Sequence, residues 1–218
     1  MDDKKLKKDD WAITLDYLAQ GHYGMERSQP VATVLGEEYF SLLEVIVRDG
    51  ITLKVGQRVY IGDGKRDEVK YIRGRLDVKE LTTAAKEEVE PTVKRLVESK
   101  PERFVEYFSK AGQITNRLHQ LELLPGIGKK HMWAIIDARK EKPFESFADI
   151  KARVPLLPDP EKMIIRRIME ELDDKDKYRI FVPKFEKHHG DSRHDDYRSD
   201  HNMAGRHSGQ DRFERRPM

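Results

Sequence analysis

The feature that most constrains this chain is a change of hydrophobic period near residue 76. Before it, apolar residues come in short β-branched and aromatic runs. After it they recur at i, i+3 and i+4, the spacing of one helix face. Trp11 to Leu18, Val31 to Leu35, Tyr39 to Val47, Val59 to Ile61 and Val69 to Ile72 read as about five strands. Gly36-Glu37-Glu38 predicts a hairpin between the second and third runs. Gly62-Asp63-Gly64-Lys65-Arg66-Asp67 predicts another between Val59–Ile61 and Val69–Ile72, because Asp-Gly between apolar runs accepts φ > 0. So many short strands in so few residues imply a small barrel or a strongly curled sheet.

The helical half has its own punctuation. Asp77 and Thr82-Thr83 are helix starts, and Val89, Val93, Leu96 and Val97 share a face that Pro91 is expected to break or kink. Pro101 opens a helix with Phe104, Val105 and Phe108 inward, closed by Gly112. Thr115 is read as the cap of a helix with Leu118, Leu121 and Leu124 inward. Then comes Leu124-Pro125-Gly126-Ile127-Gly128-Lys129-Lys130, followed by a helix whose inward set is read as Met132, Trp133, Ile135 and Ile136. Ser146 and Asp159-Pro160 start two further helices, the last carrying Ile164, Ile165, Ile168 and Leu172. The expected organisation is α+β: a charged segment 1–10, a β-barrel 11–75, a helical connector 76–114, a helical domain 115–182 and a disordered tail 183–218. The tail has almost no aliphatic residue to offset its ordering entropy.

Function classes follow from what is present and what is missing. The 218 residues contain no cysteine, so disulfides, thiolate zinc sites and cysteine nucleophiles are out. No signal-peptide core and no long apolar run are seen, which leads us to expect a cytoplasmic protein without a membrane partner. Charged residues are 38% of the chain, yet the net charge is only +2. The clear basic excess is local. Within 119–140, Lys129, Lys130, Arg139 and Lys140 stand against Glu122 and Asp137.

That excess coincides with the most informative motif. Two glycines in a tight interhelical turn let a large partner approach the backbone. The helix after Gly128 starts with unpaired N–H groups whose dipole favours an anion. Ile127 is expected to point inward, and Lys129 and Lys130 add positive charge. Gly126, Ile127, Gly128, Lys129 and Lys130 are therefore the candidate nucleic-acid site, read through phosphates rather than bases. The alternative is a plain tight turn. A secondary candidate is the sheet tip, where Arg58, Tyr60, Lys65 and Arg66 could track and stack on a strand; the alternative is an ordinary solvated hairpin. His119 and His131 flank the turn and read as satisfied polar groups. The tail histidines His188, His189, His194, His201 and His207 read as solvated. No metalloprotease, nucleophile-elbow or phosphate-loop motif is found, so no catalytic residue, metal or cofactor is expected.

The stretch Leu124 to Ile136 resembles the helix-hairpin-helix modules of nucleic-acid-binding proteins. It departs from them at Met132, where a small residue is usual. Phe144 to Ile150 looks like the entry to a second copy, whose hairpin at 156–162 lacks Gly-apolar-Gly and carries Asp159 and Glu161. That copy is expected to support the first rather than bind. More widely, Trp11–Leu18, Gly56–Asp67 and Ile114–Trp133 are similar to the largely archaeal family called domain of unknown function 655, over about residues 10–182. The resemblance implies an OB-like barrel joined to a helix-hairpin-helix unit, and RNA rather than DNA as partner. Two other readings stay open: a protein-interaction adaptor, and a nucleic-acid-processing enzyme.

Overall fold

The computed structural model describes residues 8–23, 28–174 and 176–184. Five strands, β1 (Trp11–Leu18), β2 (Val31–Gly36), β3 (Leu42–Val47), β4 (Arg58–Tyr60) and β5 (Val69–Arg75), form one antiparallel sheet in the order β4-β1-β2-β3-β5. Every residue of β2 and β3 is buried, so both faces of the central strands are covered. Alternation along the strands sorts them into two apolar sets. Ala12, Ala32, Val34, Leu43, Val45, Val47, Val59 and Val69 meet inside the curl with Leu53 and Ile61. Leu15 and Leu35 face the other way, into the helices.

The expected β2–β3 hairpin is present, with Val31 opposite Ile46. Its turn is held by Asp9, a buried carboxylate in the charged N-terminal segment. Oδ1 accepts from the Glu38 and Tyr39 N–H groups at 2.7 and 2.8 Å. Gly36 makes room for it, since a Cβ there would lie 2.0 Å from Asp9 Oδ2. The expected β4–β5 hairpin is not formed. β4 pairs with β1, β5 pairs with β3, and the Asp63-Gly64 loop crosses between the two edges of the sheet. The Ile61 and Gly62 N–H groups both donate to the Asp10 carbonyl, which ties the start of the loop to the chain just before β1. The turn signal was real, but it specifies a local bend and not which strand the chain joins next. The sheet is thus a half-barrel.

Five helices follow: α1 (Thr83–Ser99), α2 (Pro101–Lys110), α3 (Lys129–Glu141), α4 (Phe147–Arg153) and α5 (Pro160–Leu172). The α1 helix starts at Thr82, whose Oγ1 accepts from the Ala85 N–H at 3.1 Å and donates to Asp16 Oδ2 at 2.6 Å, tying helix to sheet. It runs unbroken through Pro91. Pro91 and Glu87, the residue whose carbonyl loses its partner, are exposed, while Val89, Val93 and Val97 anchor the opposite face. One apolar cluster joins Leu15, Leu35 and Phe40 of the sheet side to Phe104, Phe108, Ile135, Ile150 and Ile168 of the helices.

The helix expected from Thr115 is not there. Gln113–Thr115 (β6) and Leu118–His119 (β7) make a two-stranded ribbon, and Gln120–Leu123 is a single 3₁₀ turn. Leu121 and Leu124 are buried nonetheless. Apolar spacing over so few residues suits a 3₁₀ turn as well as an α-helix.

The chain after α5 returns to the core through a buried ion pair. Arg167 Nε donates to Glu171 Oε1 at 2.8 Å, with the two side chains 4% and 0% exposed. Glu171 also accepts from the N–H groups of Ile180, Phe181 and Val182 at 2.7–2.8 Å. Arg167 reaches Asp176 and the Tyr178 carbonyl. This clamp seats Phe181 against Phe104 and Tyr107. The tail expected over 183–218, with its histidines, lies outside the described residues from 185 on.

Candidate functional site

The hairpin between the 3₁₀ turn and α3 is built by three backbone hydrogen bonds. Leu124 N donates to the Leu121 carbonyl, Ile127 N to Leu124, and Met132 N to Gly128. Gly126 has φ +89°, a conformation that glycine adopts at little cost. A Cβ there would also come to 3.4 Å from Pro158 Cγ, in the loop between α4 and α5. Ile127 is buried beneath the turn.

Gly128 is different. Its φ −96° and ψ −178° suit any residue at an N-cap, and a Cβ on it would meet nothing within 4 Å. No side chain caps α3, and no acidic residue lies in its first turn. The other helices differ at their starts. Thr82, Ser146 and Asp159 accept the first N–H groups of α1, α4 and α5. The α2 helix begins with Pro101 and carries Glu102 in its first turn. At the second hairpin, Asp159 Oδ1 takes the N–H groups of Glu161 and Lys162, both at 3.2 Å, so that helix end is filled.

The basic residues of 119–140 are less available than their number suggests. Lys129 Nζ donates to Glu122 Oε2 at 2.8 Å and to the Arg117 carbonyl at 3.0 Å. Its ammonium holds the Glu122 carboxyl below the usual carboxylate range. Arg139 satisfies the Phe108 and Ala111 carbonyls at the end of α2. Lys140 pairs with Asp137. Lys130 is exposed and makes no ion pair with a described residue. His119 is buried. Its Nδ1 accepts from the Leu121 N–H at 3.1 Å, which requires that nitrogen to be unprotonated. Burial, then the Arg139 charge, holds its pKa below the ordinary value. His131 Nδ1 lies 3.2 Å from the Gly126 carbonyl and closes the turn.

The secondary candidates serve the sheet edge. Arg58 makes a two-point contact with Glu37, at 2.6 and 3.1 Å, and lies 3.8 Å over the Trp11 ring. Tyr60 meets Trp11 edge-on at 5.1 Å, and its hydroxyl accepts from the Gly64 N–H. Arg66 Nε donates to the Gly62 carbonyl, and exposed Lys65 lies 3.7 Å from Asp67.

Two exposed residues beside the hairpin escaped the sequence reading. Trp133, assigned to the inward set of α3, turns outward, while Met132 and Ile135 are buried. Its polar neighbours Lys129, Lys130 and Asp137 one turn away were the available signal. Arg117, expected within a helix, lies at the tip of the β6–β7 ribbon, brought to α3 by the Lys129 contact. Among the described residues, no three His, Asp or Glu side chains gather as a metal site, and no helix is long and apolar enough to cross a membrane.

The curled sheet and this helical half together define an α+β protein of the type the sequence resembled. The chain belongs to the family described as a protein of unknown function, DUF655, whose family model matches residues 8–183. An uncharacterised protein of Methanocaldococcus jannaschii is 42% identical over 181 residues, 82% of each chain. The crystal structure of a family protein from Archaeoglobus fulgidus matches with TM-score 0.72 and 44% identity, covering 80% of this chain and all of that one.

Proposed function

We propose that this protein binds nucleic acid without catalysis, holding a backbone phosphate at the Gly126–Lys130 hairpin. We read the hairpin with its flanking turns as a shortened helix-hairpin-helix element and the half-barrel as OB-like. The observation that carries this is the start of α3. It has unoccupied N–H groups, no acidic residue in its first turn, an N-cap glycine that the protein's own packing does not require, and Lys130 beside it. Helix dipole, free donors and a cation favour an anion together. The filled end of α5 marks the second hairpin as support. Contact at one hairpin engages about one or two phosphates, so binding is weak and reads little sequence. RNA is the partner that the family resemblance implies.

The test is fluorescence anisotropy of the full chain with labelled single-stranded RNA, duplex RNA and duplex DNA at several salt concentrations. Log K is expected to fall by roughly 0.7–0.9 per phosphate for each tenfold rise in salt. Lys130→Glu should weaken binding and flatten that slope. Binding that ignores both salt and Lys130→Glu would remove the hairpin assignment and leave the adaptor reading.

A further inference from the structure

Trp133 is 57% exposed on the outward face of α3. Tryptophan is usually among the more buried residues, so this much open indole is unusual. Lys129 and Lys130, four and three residues earlier, are its neighbours on the helix surface. Helical side chains lean toward the N-terminus, which tilts the indole toward the first turn. Trp133 is five residues from Gly128, roughly 7.5 Å along the axis at 1.5 Å per residue, before that lean shortens the gap. The ribbon tip arrives at the same place. The Arg117 carbonyl accepts from Lys129 Nζ, and the Arg117 side chain is exposed, with no ion-pair partner among the described residues. A flat aromatic surface and the uncommitted Lys130 therefore share one side of the helix start, with the Arg117 backbone held close by through Lys129.

We propose that this surface takes an unpaired nucleotide of a single-stranded nucleic acid, its base stacked on Trp133 and its phosphate between Lys130, Arg117 and the start of α3. The proposal rests on the phosphate reading above and adds the substrate class. A base offers its face to a side chain when it is unpaired and splayed out, and in a duplex both faces are covered by neighbouring bases. Every base has such a face, so the stack tolerates any sequence. The spacing suits one nucleotide, whose base lies a few ångströms from its own phosphate.

The experiment measures affinity of the full chain for four probes of equal length: oligouridylate, oligodeoxythymidylate, an abasic deoxy strand, and a duplex. Trp133→Ala is expected to weaken binding to both base-bearing single strands by roughly 5- to 150-fold, the range for losing one stacked base. Binding to the abasic strand and the duplex should not change, and Trp133→Phe should retain most of the affinity. The two base-bearing strands differ both in sugar and in the 5-methyl group of the base, so a loss on both is the result that supports the stack. Equal losses on the abasic strand, or none on the base-bearing strands while the wild type still binds, would overturn the stacking and leave the phosphate reading intact. A wild type that binds none of the probes at low salt overturns both. Trp133 is exposed, so an unchanged melting temperature is the expected control.

Discussion

Gly128→Asp sets stability against binding at one atom. Gly128 already has N-cap geometry, and a side chain there enters open space. An aspartate would accept the N–H groups that α3 leaves uncapped. Three contributions follow, each modest. Replacing Gly by Asp at an N-cap gains a few tenths of a kcal/mol. A negative charge at the helix start gains about 0.3–1 kcal/mol. Restricting the unfolded chain gains about 0.4–1 kcal/mol, since the native φ is allowed to any residue. Together they stabilise by about 1–2 kcal/mol, a rise of about 2–8 °C in Tm at this size. The same carboxylate occupies the place proposed for a phosphate, so nucleic-acid affinity should fall as Tm rises. Thermal melts followed by circular dichroism, alongside anisotropy titrations of the same preparations, read both. A higher Tm with unchanged affinity refutes the phosphate site, and a lower Tm refutes the capping geometry.

Other substitutions probe the frame around the site. Gly126→Ala should cost about 1–2 kcal/mol, because φ +89° is strained for any residue with a Cβ and Pro158 stands close by, and urea midpoints will show it. Lys129→Met should cost under about 1 kcal/mol, the Lys129 end of its ion pair being solvated, and should reduce affinity less than Lys130→Met. Glu171→Ala should cost about 3 kcal/mol, since three backbone N–H groups lose their buried acceptor and Arg167 keeps only the half-exposed Asp176 as a charge partner, and pairing it with Arg167→Met should not restore stability because those N–H groups still lack an acceptor. His119 gives a pH signature. Its folded pKa lies below the ordinary 6.5, so the unfolded chain takes up the proton first. Its contribution is complete above pH 6.5 and is lost as pH falls below that value through the folded pKa. His119→Asn should flatten this step while leaving the separate loss from Glu122 and Asp149 at acid pH.

How far the sequence could be read depended on whether the deciding interaction was local. The cap at Thr82, Pro101 at a helix start and Asp159-Pro160 needed only neighbouring residues, and the structure has all of them. Strand pairing is non-local, and the Asp63-Gly64 turn specifies a bend without saying which strand comes next to β5, which pairs with β3. The ribbon at Gln113–His119 was hidden by leucines whose spacing fits a helix and whose burial is real. Trp133 was misplaced by hydrophobicity alone. Asp9, Arg167 and Glu171 were invisible for another reason: a buried carboxylate or guanidinium looks in sequence like any surface charge.

Buried, hydrogen-bonded charge of this kind changes what the near-cancelling net charge means. In a chain this rich in charge, arginines do the work of caps. Arg139 closes α2, Arg153 takes the Ala138 and Lys142 carbonyls at the end of α3, and Arg167 holds the Tyr178 carbonyl. Glu171 and Asp9 do the converse, collecting backbone N–H groups. These side chains are committed to the fold and are not free to reach a ligand. The charge free to meet a polyanion is then much smaller than the count of lysines and arginines, and at the hairpin it comes down to Lys130, Arg117 and the dipole of α3. A ligand held by so few cations needs a second, uncharged source of affinity to be retained at physiological salt. The exposed indole of Trp133 is the adjoining group able to supply it.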